Sequence, residues 1–126
     1  MEPVLRNFIF CDAIVPLPEG KIACYGIFTD LFVAAFPVTY PRFCIMTSWT
    51  QAPGFHIQQI KMLNPARTAI IQQSPEQYFT LSNETETANV ITELNQLMFS
   101  EAGAYVFQLL VDSRLAGEFP LYFRAR

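Results

Sequence analysis

The stretch Glu101 to Phe123, EAGAYVFQLLVDSRLAGEFPLYF, constrains the fold more than any other part of the chain. Tyr105, Phe107, Leu109 and Val111 recur at every second position, a period that places them on one face of a strand. Gln108 and Asp112 fall on the opposite face with Val106 and Leu110, so one face reads as core and the other as partly wet. Asp112-Ser113-Arg114 forms a polar turn, after which Phe119, Leu121 and Phe123 resume the alternation. Two short strands joined in this way predict an antiparallel hairpin. Pro120 has no N–H to give to a ladder and predicts an edge or bulged position for the last strand.

The residues leading into this hairpin, Glu101-Ala102-Gly103-Ala104-Tyr105, resemble the acidic-x-Gly-x-Tyr approach to the penultimate strand of immunoglobulin-like sandwiches. That resemblance implies that Gly103 makes the corner and that the Tyr105 hydroxyl bonds backward to the main chain. Phe107 stands where antibody domains carry their second sheet-bridging cysteine, so no disulfide is implied there. An ordinary β-turn ahead of an aromatic strand is the competing reading of the same residues.

The chain has 126 residues, which predicts one domain over 1–126. Hydrophobic residues make up 52% and Phe alone counts 12. Each buried Phe stabilises by roughly 1.5–3 kcal/mol, which lets a loop-rich chain offset its ordering entropy without disulfide or metal. Charged residues are only 15%, against about 25% in ordinary domains, so part of the surface is expected to be covered by a partner. Net charge is −3 and no run of Lys or Arg exists. Nucleic-acid binding needs a phosphate-neutralising patch, so that class is excluded. Cys11, Cys24 and Cys44 are widely spaced and each lies in an apolar run. They read as free thiols in a reducing compartment, and no CxxC or Cys/His cluster suggests zinc. Met1 to Arg6 lacks a basic n-region and a cleavage site, and no apolar run approaches the ~20 residues of a spanning helix. The expectation is a cytoplasmic protein without a leader or membrane contact. Asn83-Glu84-Thr85 matches a glycosylation sequon by chance.

Read in order, Val4 to Val15 predicts a first strand whose Phe8-Ile9-Phe10-Cys11 centre is apolar on both faces, as in a central strand. Pro16 to Gly20 is a rigid turn. Lys21 to Phe28 is a second strand with a bulge or close approach at Gly26. Asp30 to Phe36 has no clean period and reads as a short strand or helical turn, followed by a prolyl crossover. Arg42 to Gln51 is a strand carrying Phe43, Ile45, Thr47 and Trp49 on one face. Pro53-Gly54 reads as a hairpin-type turn into Phe55 to Leu63. There, Phe55 and Ile57 are out of phase with Ile60 and Met62, predicting a β-bulge near Gln58-Gln59. Asn64 to Arg67 turns the chain, Thr68 to Gln73 and Tyr78 to Leu81 are brief strands, and Asn83 to Glu86 is a loop. For Thr87 to Leu97, Val90, Ile91, Leu94 and Leu97 also fit helical spacing, but Val90-Ile91-Thr92 and the extended neighbours predict a strand. About eight or nine strands make an all-β, antiparallel two-sheet sandwich, immunoglobulin-like in kind.

Further residues carry a second resemblance. Phe10-Cys11-Asp12, Gly26-Ile27-Phe28, Phe36-Pro37, His56 in a strand, the Asn64-Pro65 turn and the closing Gly103-x-Tyr105-x-Phe107 stand in the order of a family of uncharacterised bacterial single-domain proteins. The resemblance implies a bacterial cytoplasmic β-sandwich and lends no catalytic residue.

His56 is the only histidine. A catalytic role needs an orienting acid and a nucleophile beside it, with Asp12, Asp30 and Asp112 as candidate acids. Asp12 follows Phe8-Ile9-Phe10-Cys11 and must find a partner or point outward. Asp12 and His56 are therefore the candidate polar site. Met46, Met62 and Met98 read as core filler, and no G-x-S-x-G, P-loop, HExxH or GxGxxG occurs. No cofactor or metal is expected. The leading reading is a non-catalytic interaction or scaffold module that self-associates as a dimer, with Arg42 to Gln51, uncharged beyond Arg42, as the sticky strand if it lies at an edge or shows Met46 outward. The alternative is a small-ligand or carbohydrate-binding sandwich using Tyr25, Tyr40, Trp49 or Tyr78 as stacking platforms. An enzyme built on His56 and a carboxylate ranks third.

Overall fold

Alternation governs most of the chain, and the two apolar faces it creates close on each other as a sandwich. The structure is a computed structural model that describes residues 2–126; Met1, the first residue of the stretch read for a leader, lies outside them. Ten strands form two sheets, one more than the upper expectation. The smaller sheet runs β2 (Ile22–Phe28), β1 (Val4–Pro16), β4 (Val38–Thr50) and β8 (Thr87–Phe99). The larger runs β3 (Asp30–Val33), β10 (Arg114–Ala125), β9 (Gly103–Val111), β5 (Gly54–Leu63) and β6 (Ile70–Gln73), while β7 (Gln77–Leu81) also pairs with β5. All ladders are antiparallel except β3 with β10. Among the described residues no helix is long and apolar enough to cross a membrane.

The core lies between the sheets. Phe10, Phe43 and Phe107 meet edge to face, with ring centroids 5.0–6.3 Å apart. A second group joins Phe99, Tyr105 and Phe123. Such pairs add about 0.5–1.5 kcal/mol each beyond their buried area.

The corner at the start of β9 forms as expected. Tyr105 is buried, its hydroxyl donates to the Glu101 carbonyl at 2.6 Å, and it accepts from the Glu101 N–H at 3.3 Å. Gly103 sits at φ +139°, where a Cβ would meet Pro65 at 2.9 Å. Gly26 is the close approach foreseen in β2: at φ +65°, its missing Cβ leaves room for the Asp12 carboxylate. Asn64 closes its turn by accepting from the N–H groups of Thr68 and Ala69.

Several expectations change. Arg42 to Gln51 is not an edge, because β4 is flanked by both β1 and β8 from Cys44 to Thr50 and is buried on both faces from Phe43 to Thr50. Pro53-Gly54 is no hairpin, since it carries the chain from β4 in one sheet to β5 in the other. β5 has no bulge at Gln58-Gln59: His56, Gln58, Ile60 and Met62 all point inward in one unbroken phase, and Phe55 and Ile57 point outward. The apparent phase change comes from polar residues facing the core, not from an inserted residue. Met46 and Met62 are buried as expected, but Met98 is 65% exposed, because inward Leu97 and Phe99 flank it on the edge strand β8. β8 is a strand, and its imitation of helical spacing has a local cause. Gln96 is left-handed at φ +53° opposite Pro41, and this irregularity brings Leu97 to the inner side three residues after Leu94. β10 is unpaired on one side from Arg114 to Leu121, consistent with Pro120, and bulged at Ala116; Tyr122 to Ala125 pair with β3.

Candidate functional site

Inward-facing polar residues of β5 build the buried polar centre. Strand alternation sends His56 and Gln58 to the core side, where each must be hydrogen-bonded or strongly destabilising. Gln58 is fully buried, and its Oε1 accepts from the Trp49 Nε1–H at 2.7 Å and the Thr47 hydroxyl at 2.6 Å. Its Nε2 donates to Gln77 Oε1 at 3.2 Å, which also accepts from the Thr92 hydroxyl at 2.8 Å. These bonds tie β4, β5, β7 and β8 together across the sandwich. Among the described residues no buried side-chain polar atom lacks a partner.

His56 lies at the end of this row, 6% exposed and tilted against Phe79. Its Nε2 faces the Ala52 carbonyl at 2.7 Å; a carbonyl only accepts, so Nε2 carries the proton. Its Nδ1 faces Asp112 Oδ2 at 2.7 Å. With a proton on both ring nitrogens this contact is an ion pair. Asp112 Oδ1 also accepts from the Ile57 N–H at 3.0 Å, and the Asp112 N–H donates to the Ile57 carbonyl at 2.8 Å. The turn supports this reach because Asp112 and Ser113 are both left-handed, at φ +50° and +66°. Of the three candidate acids, Asp112 is thus the one beside His56. It also lines a cavity of about 230 Å³ on the outer face of the larger sheet, with Ile57, Gln59, Lys61, Glu76 and Ser113. The imidazole is behind that wall with both nitrogens engaged, so this dyad clasps the β4–β5 crossover to the β9–β10 turn and holds no nitrogen toward the cavity.

Asp12 and His56 are not brought together. Asp12 is exposed on β1 of the smaller sheet, beside Gly26. Its charge contributes, after burial, to raising the Tyr40 hydroxyl. Cys11 stands opposite Cys44 in the β1–β4 ladder, and burial, then neighbouring Cys24 and Cys44, then Asp12, push its thiol up to about 12. All three cysteines are free. Among the described residues no group of His, Cys, Asp or Glu is arranged to hold a metal ion.

The aromatic candidates separate by exposure. Trp49 is entirely buried and Tyr40 packs edge-on against Phe43 and Phe123, so neither can serve as a platform. Tyr25 is exposed on β2, and exposed Tyr78 stacks on exposed Phe55 at 5.5 Å. Sequence reasoning missed Gln58 as a buried hub; its signal was the run of polar residues between two out-of-phase apolar pairs. It also missed a cleft of about 280 Å³ on the open side of the sandwich, where β1 and β2 face β10.

Residues 6–124 match a family of unknown function, DUF6941. No curated protein is similar to the chain at a significant level.

Proposed function

The chain belongs to that family of unknown function, and we propose that it serves as a non-catalytic interaction module that self-associates as a two-fold dimer. The observation that carries this reading is β2. It is the outer strand of the smaller sheet and pairs only with β1. Ile22 to Phe28 contains no charge and no proline, and Tyr25 and Ile27 are 56% and 62% exposed. Proteins usually blunt an edge with charge, proline or brevity. Other edge strands follow that practice: β8 carries Glu93, β3 carries Asp30, the open part of β10 carries Pro120, and β6 and β7 are only four and five residues long. Antiparallel pairing of β2 with its own copy is self-complementary, which suits a closed two-fold interface. The immunoglobulin-like kinship is part of this proposal, supported by the β1-β4-β8 and β3-β10-β9-β5-β6 strand orders and the Tyr105 corner. So is a cytoplasmic setting, supported by three free thiols; the bacterial setting rests on sequence resemblance alone.

Sedimentation equilibrium across the micromolar range tests the dimer. The wild type is expected to approach twice the 14.4 kDa chain mass, and Ile27→Lys with Tyr25→Lys to remain monomeric. A monomer mass for the wild type at every concentration would end this reading.

A further inference from the structure

From the cleft on the open side of the sandwich, we infer that the domain has a binding site for a small, neutral aromatic ligand. This goes beyond self-association and does not depend on it. Phe8, Phe10 and Phe28 from the smaller sheet and Phe119 and Pro120 from the larger line a cleft of about 280 Å³. Its walls are therefore built from both sheets, unlike the flat outer faces. Phe8 and Phe119 lie parallel, 4.0 Å between centroids and 5° between planes, and bridge the two sheets. Phe10 and Phe28 stack at 6.2 Å. A flat ring entering here meets aromatic side chains from both sheets, the partners that aromatic groups pack against well.

Size and backbone chemistry choose the occupant. Small-molecule sites begin near 300 Å³, so the cleft admits a compound of one or two rings. A polypeptide strand would have to add to the open edge of β10, where Pro120 has no N–H and the bulge at Ala116 interrupts the ladder. The mouth carries no free charge: Arg124 Nε pairs with Asp30 Oδ1 at 2.7 Å and its guanidinium lies 4.9 Å over the Tyr122 ring, while Thr29 donates its hydroxyl to Asp30. A neutral ligand is thus favoured over an anion or cation.

Indole is the probe, titrated by calorimetry and by saturation-transfer NMR. It is expected to bind once per chain. Thr29→Arg, which places a long charged side chain across the mouth, and Tyr122→Ala, which removes a wall, are expected to weaken binding about tenfold or more. Phe55→Ser, which breaks the other exposed aromatic pair, is expected to leave it unchanged. Amide NMR spectra confirm that each variant is folded; should Tyr122→Ala not fold, Thr29→Arg decides. Absence of indole binding up to its solubility, retention of full affinity in the cleft variants, or loss in Phe55→Ser would each overturn the inference. Both cleft variants lie outside β2, so sedimentation of the same samples scores self-association separately.

Discussion

Asp112, at the tip of the β9–β10 turn, holds the buried ring of His56 on β5 at 2.7 Å, although the two residues are 56 positions apart in the chain. The same carboxylate accepts from the Ile57 N–H. Removing it leaves a buried ring nitrogen and a backbone donor without their partner. Asp112→Ala is therefore expected to cost about 1–3 kcal/mol, measured by urea unfolding. An unchanged midpoint would show that the clasp contributes nothing.

Gln58 is the second test. In Gln58→Leu the Trp49 Nε1–H loses its acceptor inside the core, while Thr47 can fall back on the Val90 carbonyl, 3.3 Å away. The expected loss is about 1–3 kcal/mol, the desolvation cost of one buried orphan donor. Trp49 is the single tryptophan, so its fluorescence reports both unfolding and the altered environment. Leucine stabilising the domain would mean that the polar row confers no net stability.

Tyr105→Phe removes one hydroxyl that serves as donor and acceptor to Glu101. The ring remains packed against Phe99 and Phe123, so the change isolates the corner bond. A loss of about 0.5–1.5 kcal/mol is expected by chemical denaturation, and no loss would deny the corner a role in stability.

The thiols should differ in reactivity. Cys24 is partly exposed, whereas Cys11 and Cys44 are buried and burial is the main force pushing the Cys11 thiol up to about 12. Because the thiolate is the reactive form, a thiol reagent at pH 8 should label Cys24 first in the native protein. All three should label after denaturation without reductant. Rapid native labelling of Cys11 would contradict its burial, and two silent cysteines after denaturation would reveal a disulfide.

What the chain determines locally is the alternation of Tyr105, Phe107, Leu109 and Val111, the Gly103–Tyr105 corner, the Asn64 turn and the extended character of Thr87 to Leu97. In each, the controlling interactions are between residues close in sequence: a period of two, a missing Cβ, a side chain bonding to its own turn. Tertiary structure alone decided which face of β5 is inside. Both phases of Phe55 to Leu63 carry apolar residues, so periodicity cannot choose between them. The choice went to the phase whose polar members, His56 and Gln58, find Asp112, Ala52, Trp49, Thr47 and Gln77 waiting. Strand neighbours were likewise out of reach of local reading: β4 became central and β2 an edge because ladder partners are selected by long-range packing, and an uncharged apolar strand suits either place until its neighbours are known.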